Sequence, residues 1–179
     1  MNRRWTILTA LVLAAACSTS QPPPPQSPTP TEPSTSASGK RDVTPRAKLP
    51  PALLPLLPKN GIYASGGGLT SPPWRIVVDL DAKTIFVGQS TKPNAPSTGK
   101  LEKEAIKELS ARNGAYLMGF AHTAWTEAPP TTPPEPTADY DEVLVVLEGD
   151  DTFYLEGYGP IRRPEAAKTI VELRAAAGL

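Results

Sequence analysis

In the stretch Glu142 to Leu147, Val143-Leu144-Val145-Val146-Leu147 is an aliphatic run with no polar break, followed by Glu148-Gly149-Asp150-Asp151 and then Thr152-Phe153-Tyr154-Leu155-Glu156. The missing alternation predicts a central strand covered on both faces. The Gly-Asp step predicts a hairpin turn, and Phe153 and Leu155 alternating with Tyr154 predict the returning strand. Working outward, Trp74, Ile76, Val78 and Leu80 alternate with Arg75, Val77 and Asp79, which is the period of a half-buried strand. Asp81-Ala82-Lys83 turns the chain, and Thr84 to Gln89 returns as a second strand.

Two helices are expected. In Lys100 to Asn113, Leu101, Ala105, Ile106 and Leu109 fall on one helical face, with Asn113-Gly114 as a stop. The last helix opens at Pro164, a residue suited to the first helical position. It carries an apolar stripe of Ala166, Ile170, Leu173 and Ala177 and closes at Gly178. Residues 115–124 fit either a helix or a short strand. Gly66-Gly67-Gly68 reads as a loop, because Pro72-Pro73 follows where a phosphate-binding loop needs a helix. The sum is an α+β domain over residues 61–179, ordered β-β-α-β-β-α. It predicts a four-stranded, mainly antiparallel sheet with two helices on one face.

Upstream, residues 49–60 are built around Leu-Pro-Pro-Ala-Leu-Leu-Pro-Leu-Leu-Pro. Its prolines forbid a regular helix. It is read as an arm packed on the domain, with a docking peptide for a partner's groove as the alternative. Residues 18–48 are rich in Pro, Ser and Thr with almost no large apolar residue, which predicts disorder. Such a tether reaches roughly 90 Å when extended.

The chain begins with Arg3 and Arg4, then an apolar stretch from Trp5 to Ala16, which has the form of an export signal over residues 1–16. Cys17, the single cysteine, follows Ala14-Ala15-Ala16. This junction resembles the lipobox of bacterial lipoproteins. The resemblance implies that Cys17 is acylated and becomes the mature N-terminus. With Ser18 rather than aspartate next, it also implies passage to the outer membrane. The alternative is a signal peptide cut near Ala16 that leaves a free thiol.

Composition excludes several functions. Removing residues 1–16 leaves 16 basic against 18 acidic side chains, a charge of −2, so no basic surplus exists to neutralise nucleic-acid phosphates. A zinc site needs three or four His, Cys or carboxylate ligands, and His122 is the one histidine. No metal or cofactor is therefore expected. No serine lies in a Gly-x-Ser-x-Gly elbow. A hydrolase would have to use His122 with a carboxylate, and the chain reads more readily as a binding module than as an enzyme. The proline-rich segment from Trp125 to Tyr140 is the candidate recognition loop. Trp125 and Tyr140 would be its aromatic anchors, and Asp139 and Asp141 would belong to an acidic rim with Glu127, Glu135 and Glu142. The competing reading places Trp125 in the core. The doubled order, the triple glycine and the segment from Asp139-Tyr140 to Ala177 resemble emfourin-type inhibitors of thermolysin-like metallopeptidases, over roughly residues 64–177. That resemblance implies inhibition of a secreted protease.

Overall fold

A computed structural model describes residues 43–129, 131 and 140–179, apart from the side chain of Tyr158. The stretch read as an export signal, Cys17 and the expected tether up to residue 42 lie outside the described residues. The fold is α+β, with a six-stranded antiparallel sheet and two helices. The strands are β1 (Gly61–Gly67), β2 (Trp74–Asp79), β3 (Thr84–Gln89), β4 (Lys103–Glu108), β5 (Asp141–Glu148) and β6 (Asp151–Tyr158). The helices are α1 (Ala111–Thr126) and α2 (Pro164–Ala177). Across the sheet the strands run β4-β3-β2-β1-β5-β6, every neighbouring pair antiparallel.

The expected four strands are all present, and two more correct the reading. Residues 103–108 form an edge strand, not a helix. Their helical periodicity was also a two-residue alternation, Lys103-Ala105-Lys107 against Glu104-Ile106-Glu108. Pairing to the free side of β3 selects the extended form. Leu101 and Leu109, buried at either end, pin that strand. The helix starts later, where the Ser110 hydroxyl accepts the Asn113 N–H at 3.2 Å as an N-cap. Asn113-Gly114 is thus the first turn of α1, and residues 115–124 are helical.

The second addition is β1, which the glycines disguised as a loop. It occupies the middle of the sheet, between β2 and β5. Gly66 and Gly67 are needed there. A Cβ on Gly66 would lie 2.8 Å from the Trp74 indole nitrogen, and one on Gly67, at φ +140°, would lie 2.5 Å from the Pro73 Cα.

Both helices pack on one face. Ile62, Ile76, Val78, Leu144, Val146 and Phe153 meet Leu117, Ala121, Trp125, Ile170 and Leu173 in one core. The stripe of α2 is buried as expected, and Gly178 caps it in the left-handed conformation at φ 79°. The other face is covered over β1 and β5 by the arm, where Leu49 and Leu53 close over Tyr63, Val145 and Leu147. The prolines permit only two 3-10 turns, Arg46–Lys48 and Leu54–Leu56. The docked arm begins before Leu49: the Thr44 N–H donates to the Thr152 carbonyl at 2.8 Å. Residues 43–48, read as the end of the tether, therefore belong to the folded unit.

Leu53 is 4 % exposed. Leu53→Ala is expected to cost about 2–5 kcal/mol of stability, read by urea unfolding. An unchanged midpoint would mean that the arm is not part of the core.

Candidate functional site: a polar cleft at one end of the sheet

Where β1 ends and β5 begins, three segments meet around a cleft of about 400 Å³. Gly67, Gly68 and Leu69 form one wall, Asn94 to Thr98 the second, and Tyr140 and Asp141 the third, with Ser65 and Val143 among the residues of the floor. Each wall is fixed by identifiable bonds. The Asn94 N–H donates to the Gly68 carbonyl at 3.2 Å, with Asn94 itself left-handed at φ 65°. Arg75, 6 % exposed, points Nη1 at the Ser97 and Gly99 carbonyls, at 2.9 and 3.1 Å. Its Nη2 lies 3.6 Å from Glu104, and its guanidinium stacks over Phe86. Arg75 is therefore an internal clamp on the second wall and not a free cation.

The third wall hangs on a buried carboxylate. Glu142, 7 % exposed, accepts the Tyr140 hydroxyl at 2.8 Å and the Ile161 N–H at 2.8 Å. The Tyr140 oxygen in turn accepts the Trp74 indole N–H at 3.3 Å, and the Arg174 guanidinium lies over the Trp74 ring. Burial pushes the Tyr140 hydroxyl up to about 12; the adjacent Glu142 adds to this, against the opposing Trp74 bond. Tyr63, fully buried, has its hydroxyl raised by burial, partly offset by Ser65, Arg75 and Ser97. These serines approach the phenol without forming a sound hydrogen bond to it. The Ser97 and Ser65 hydroxyls are 3.4 Å apart.

The four residues proposed for recognition separate. Tyr140 and Asp141 come together at the cleft. Asp139 and Glu135 lie outside the described residues. Trp125 does not belong to a loop: α1 runs on to Thr126, so its last turn presents the indole to the sheet. There Trp125 is 1 % exposed and stacks on Phe153, centroids 6.1 Å apart. An anchor for a partner must be accessible, and Trp125 is a core residue. Two carboxylates of the supposed acidic rim also work inside. Glu142 is described above, and Glu127 joins the helices: its carboxylate accepts the Glu165 N–H at 3.2 Å and lies 3.8 Å from Arg163 Nε. Arg163 also donates to the Glu127 carbonyl and covers Phe153.

His122 has a carboxylate partner, Glu148, at 3.5 Å. Both are partly exposed, and Glu148 stands at the opposite end of β5 from the cleft residue Asp141, about 24 Å along an extended strand. Among the described residues no three His, Cys, Asp or Glu side chains converge as metal ligands. The residues missed from sequence are Ser65, Asn94 and Ser97. They carry no motif, and only the pairing of β1 with β2 and the Arg75 clamp bring them together. In comparison with known proteins, no family model and no curated protein matches the chain.

Two outcomes follow from this arrangement. Trp125→Ala is expected to lower stability by about 3–5 kcal/mol in urea unfolding, whereas an exposed anchor would cost almost nothing. The folded chain holds the Tyr140 proton more tightly than the unfolded chain, where tyrosine titrates near 10. Stability is thus intact below about pH 10 and falls as pH rises towards 12. The fall should be shallower in Tyr140→Phe, and equal slopes in the two proteins would contradict the assignment.

Proposed function

We propose that this chain is a lipid-anchored cell-envelope protein whose α+β domain binds an envelope component in the cleft. Acylated Cys17 would hold it in a membrane, the outer membrane by the resemblance at Ser18, and residues 18–42 would be the tether. No described helix is long and apolar enough to cross a membrane. The observation that carries the binding role is the cleft itself. Its volume lies in the range of ligand sites, and it offers hydroxyls, an amide and one carboxylate around Tyr140. No cationic side chain lines it among the described residues, so phosphates are poor candidates. The chemistry fits a hydrogen-bond-rich, weakly charged ligand such as a wall glycopeptide. The hydrolase alternative draws less support, because the His122–Glu148 pair lies at the opposite end of β5.

Two measurements test this reading. On detergent phase partition the wild-type chain should enter the detergent phase and Cys17→Ser should not. Recovery of wild type in the aqueous phase with a free thiol would contradict the anchor. Soluble muropeptides titrated into the full chain should perturb Ser65, Asn94 and Asp141 in NMR spectra. Asp141→Ala should weaken that binding about tenfold with unchanged thermal stability, and a uniform response across the domain would refute the cleft as the site.

A further inference from the structure

The sheet has two edges, and they are finished differently. On the outer side of β6 the arm donates the Thr44 N–H to Thr152. All six residues of β4 are exposed, and among the described residues β3 is the one strand paired with it. The Leu109 N–H bonds the Lys83 carbonyl at 2.8 Å, in the register that sets Thr84 opposite Glu108. In an antiparallel ladder the bonded residues then alternate. Lys103, Ala105 and Lys107 turn their backbone groups to β3, and Glu104, Ile106 and Glu108 turn theirs outward.

The side chains extend this open edge. A single cross-strand rung runs Tyr154, Val145, Tyr63, Val77, Phe86, Ile106 over the arm-side face. The arm covers the Tyr63 and Val145 part of it. Val77 and Phe86 are half-buried, and Ile106 is 72 % exposed. The apolar rung thus continues from the core to the free edge. Glu104 and Glu108 flank Ile106 on that face, and Lys103 and Lys107 lie on the other.

This charge pattern discriminates between occupants. A second copy pairing about a two-fold axis must set like faces together. Centred on Ile106, that register opposes Glu104 to Glu108 twice; centred on Ala105, it opposes Lys103 to Lys107 twice. Like charges directly opposite are destabilising, and lysine on an edge is a usual guard against self-pairing. A different strand meets no such barrier if its charges are complementary. Glu104 is partly engaged by Arg75 and the Leu101 N–H, and Lys107 donates to the Ala177 carbonyl at the end of α2. The end charges, Lys103 and Glu108, therefore carry most of the discrimination.

We propose that β4 is a docking edge for a β-strand of another protein. That strand carries basic, apolar and basic residues opposite Glu108, Ile106 and Glu104, and acidic residues opposite Lys107 and Lys103. Binding adds a seventh strand, with main-chain bonds supplying affinity and the flanking charges supplying orientation. The site is separate from the cleft and does not rest on the proposed ligand there.

The probe is a fluorescent cyclic β-hairpin peptide whose outer strand reads Lys-Glu-Val-Thr-Lys-Glu, titrated with the full chain and followed by anisotropy. Wild type should bind it saturably. Ile106→Pro should weaken binding at least about tenfold and stay folded, since that N–H points away from the ladder and proline is tolerated on edge strands. Glu108→Lys, which leaves the backbone edge intact, should weaken it at least about threefold, while Asp141→Ala in the cleft should not change it. Absence of saturable binding by wild type up to about 1 mM, or equal binding by wild type and Glu108→Lys, overturns the proposal. If Ile106→Pro is unfolded by circular dichroism, Glu108→Lys alone decides.

Discussion

Everything in this fold depends on burying the middle of the sheet from both sides. Ile62 and Tyr63, adjacent on β1 and facing opposite ways, are both fully buried. On β5, Leu144 and Val146 face the helices, and Val145 and Leu147 face the arm. Two helices can cover one face of a six-stranded sheet. The other face needs a cover too, and the sequence supplies it with leucines set among prolines. Proline keeps that arm extended enough to lie across β5 and β1, and each fully buried leucine contributes about 1.5–3 kcal/mol. The arm also bonds the β6 edge at one point, where Thr44 meets Thr152. Its leucines pack as far as Val77, which leaves Phe86 half-buried under Arg75 and Ile106 exposed on β4.

Carboxylates hold the parts that hydrophobic burial cannot orient. A buried carboxylate is tolerated when its oxygens are hydrogen-bonded. Glu142 meets that condition with Tyr140 and Ile161, tying the start of β5 to the segment that leads into α2. Glu127 meets it with the Glu165 N–H and Arg163 at the start of α2, where an anion is favoured by the unpaired N–H groups. Trp74 and Tyr140 then place a neutral phenol at the cleft, with its proton held firmly by burial. The cleft's shape is a by-product of these ties, so its residues are positioned by groups that do not line it.

Much of this was legible in the sequence, for physical reasons that can be named. The α2 stripe and the β2 alternation were clear because their whole faces are buried and their periods are unmixed. The uninterrupted aliphatic run of β5 gave its two-sided burial. The β4 segment was ambiguous because Lys-Glu-Ala-Ile-Lys-Glu satisfies helix and strand periods alike, and only a free β3 edge chooses between them. The strand β1 was hidden because its glycines answer a close approach of Trp74 and Pro73, a contact between distant residues. Tyr140 and Asp141 stood out as the aromatic end of the proline-rich segment and part of its acidic rim, and both line the cleft. Trp125 was ambiguous because one more helical turn moves it from a loop to the core. Ser65, Asn94 and Ser97 had no local signature.

The central claim, that two-sided burial of β1 and β5 holds the domain together, is tested most directly by native-state hydrogen exchange on the full chain. Amides of Ile62 to Ser65 and Leu144 to Leu147 should exchange only through global unfolding, with the same free energy and the same dependence on urea. The outward amides of Glu104, Ile106 and Glu108 should exchange freely. Local, urea-independent exchange in β1, or protection of β4 equal to that of β1, would contradict the account.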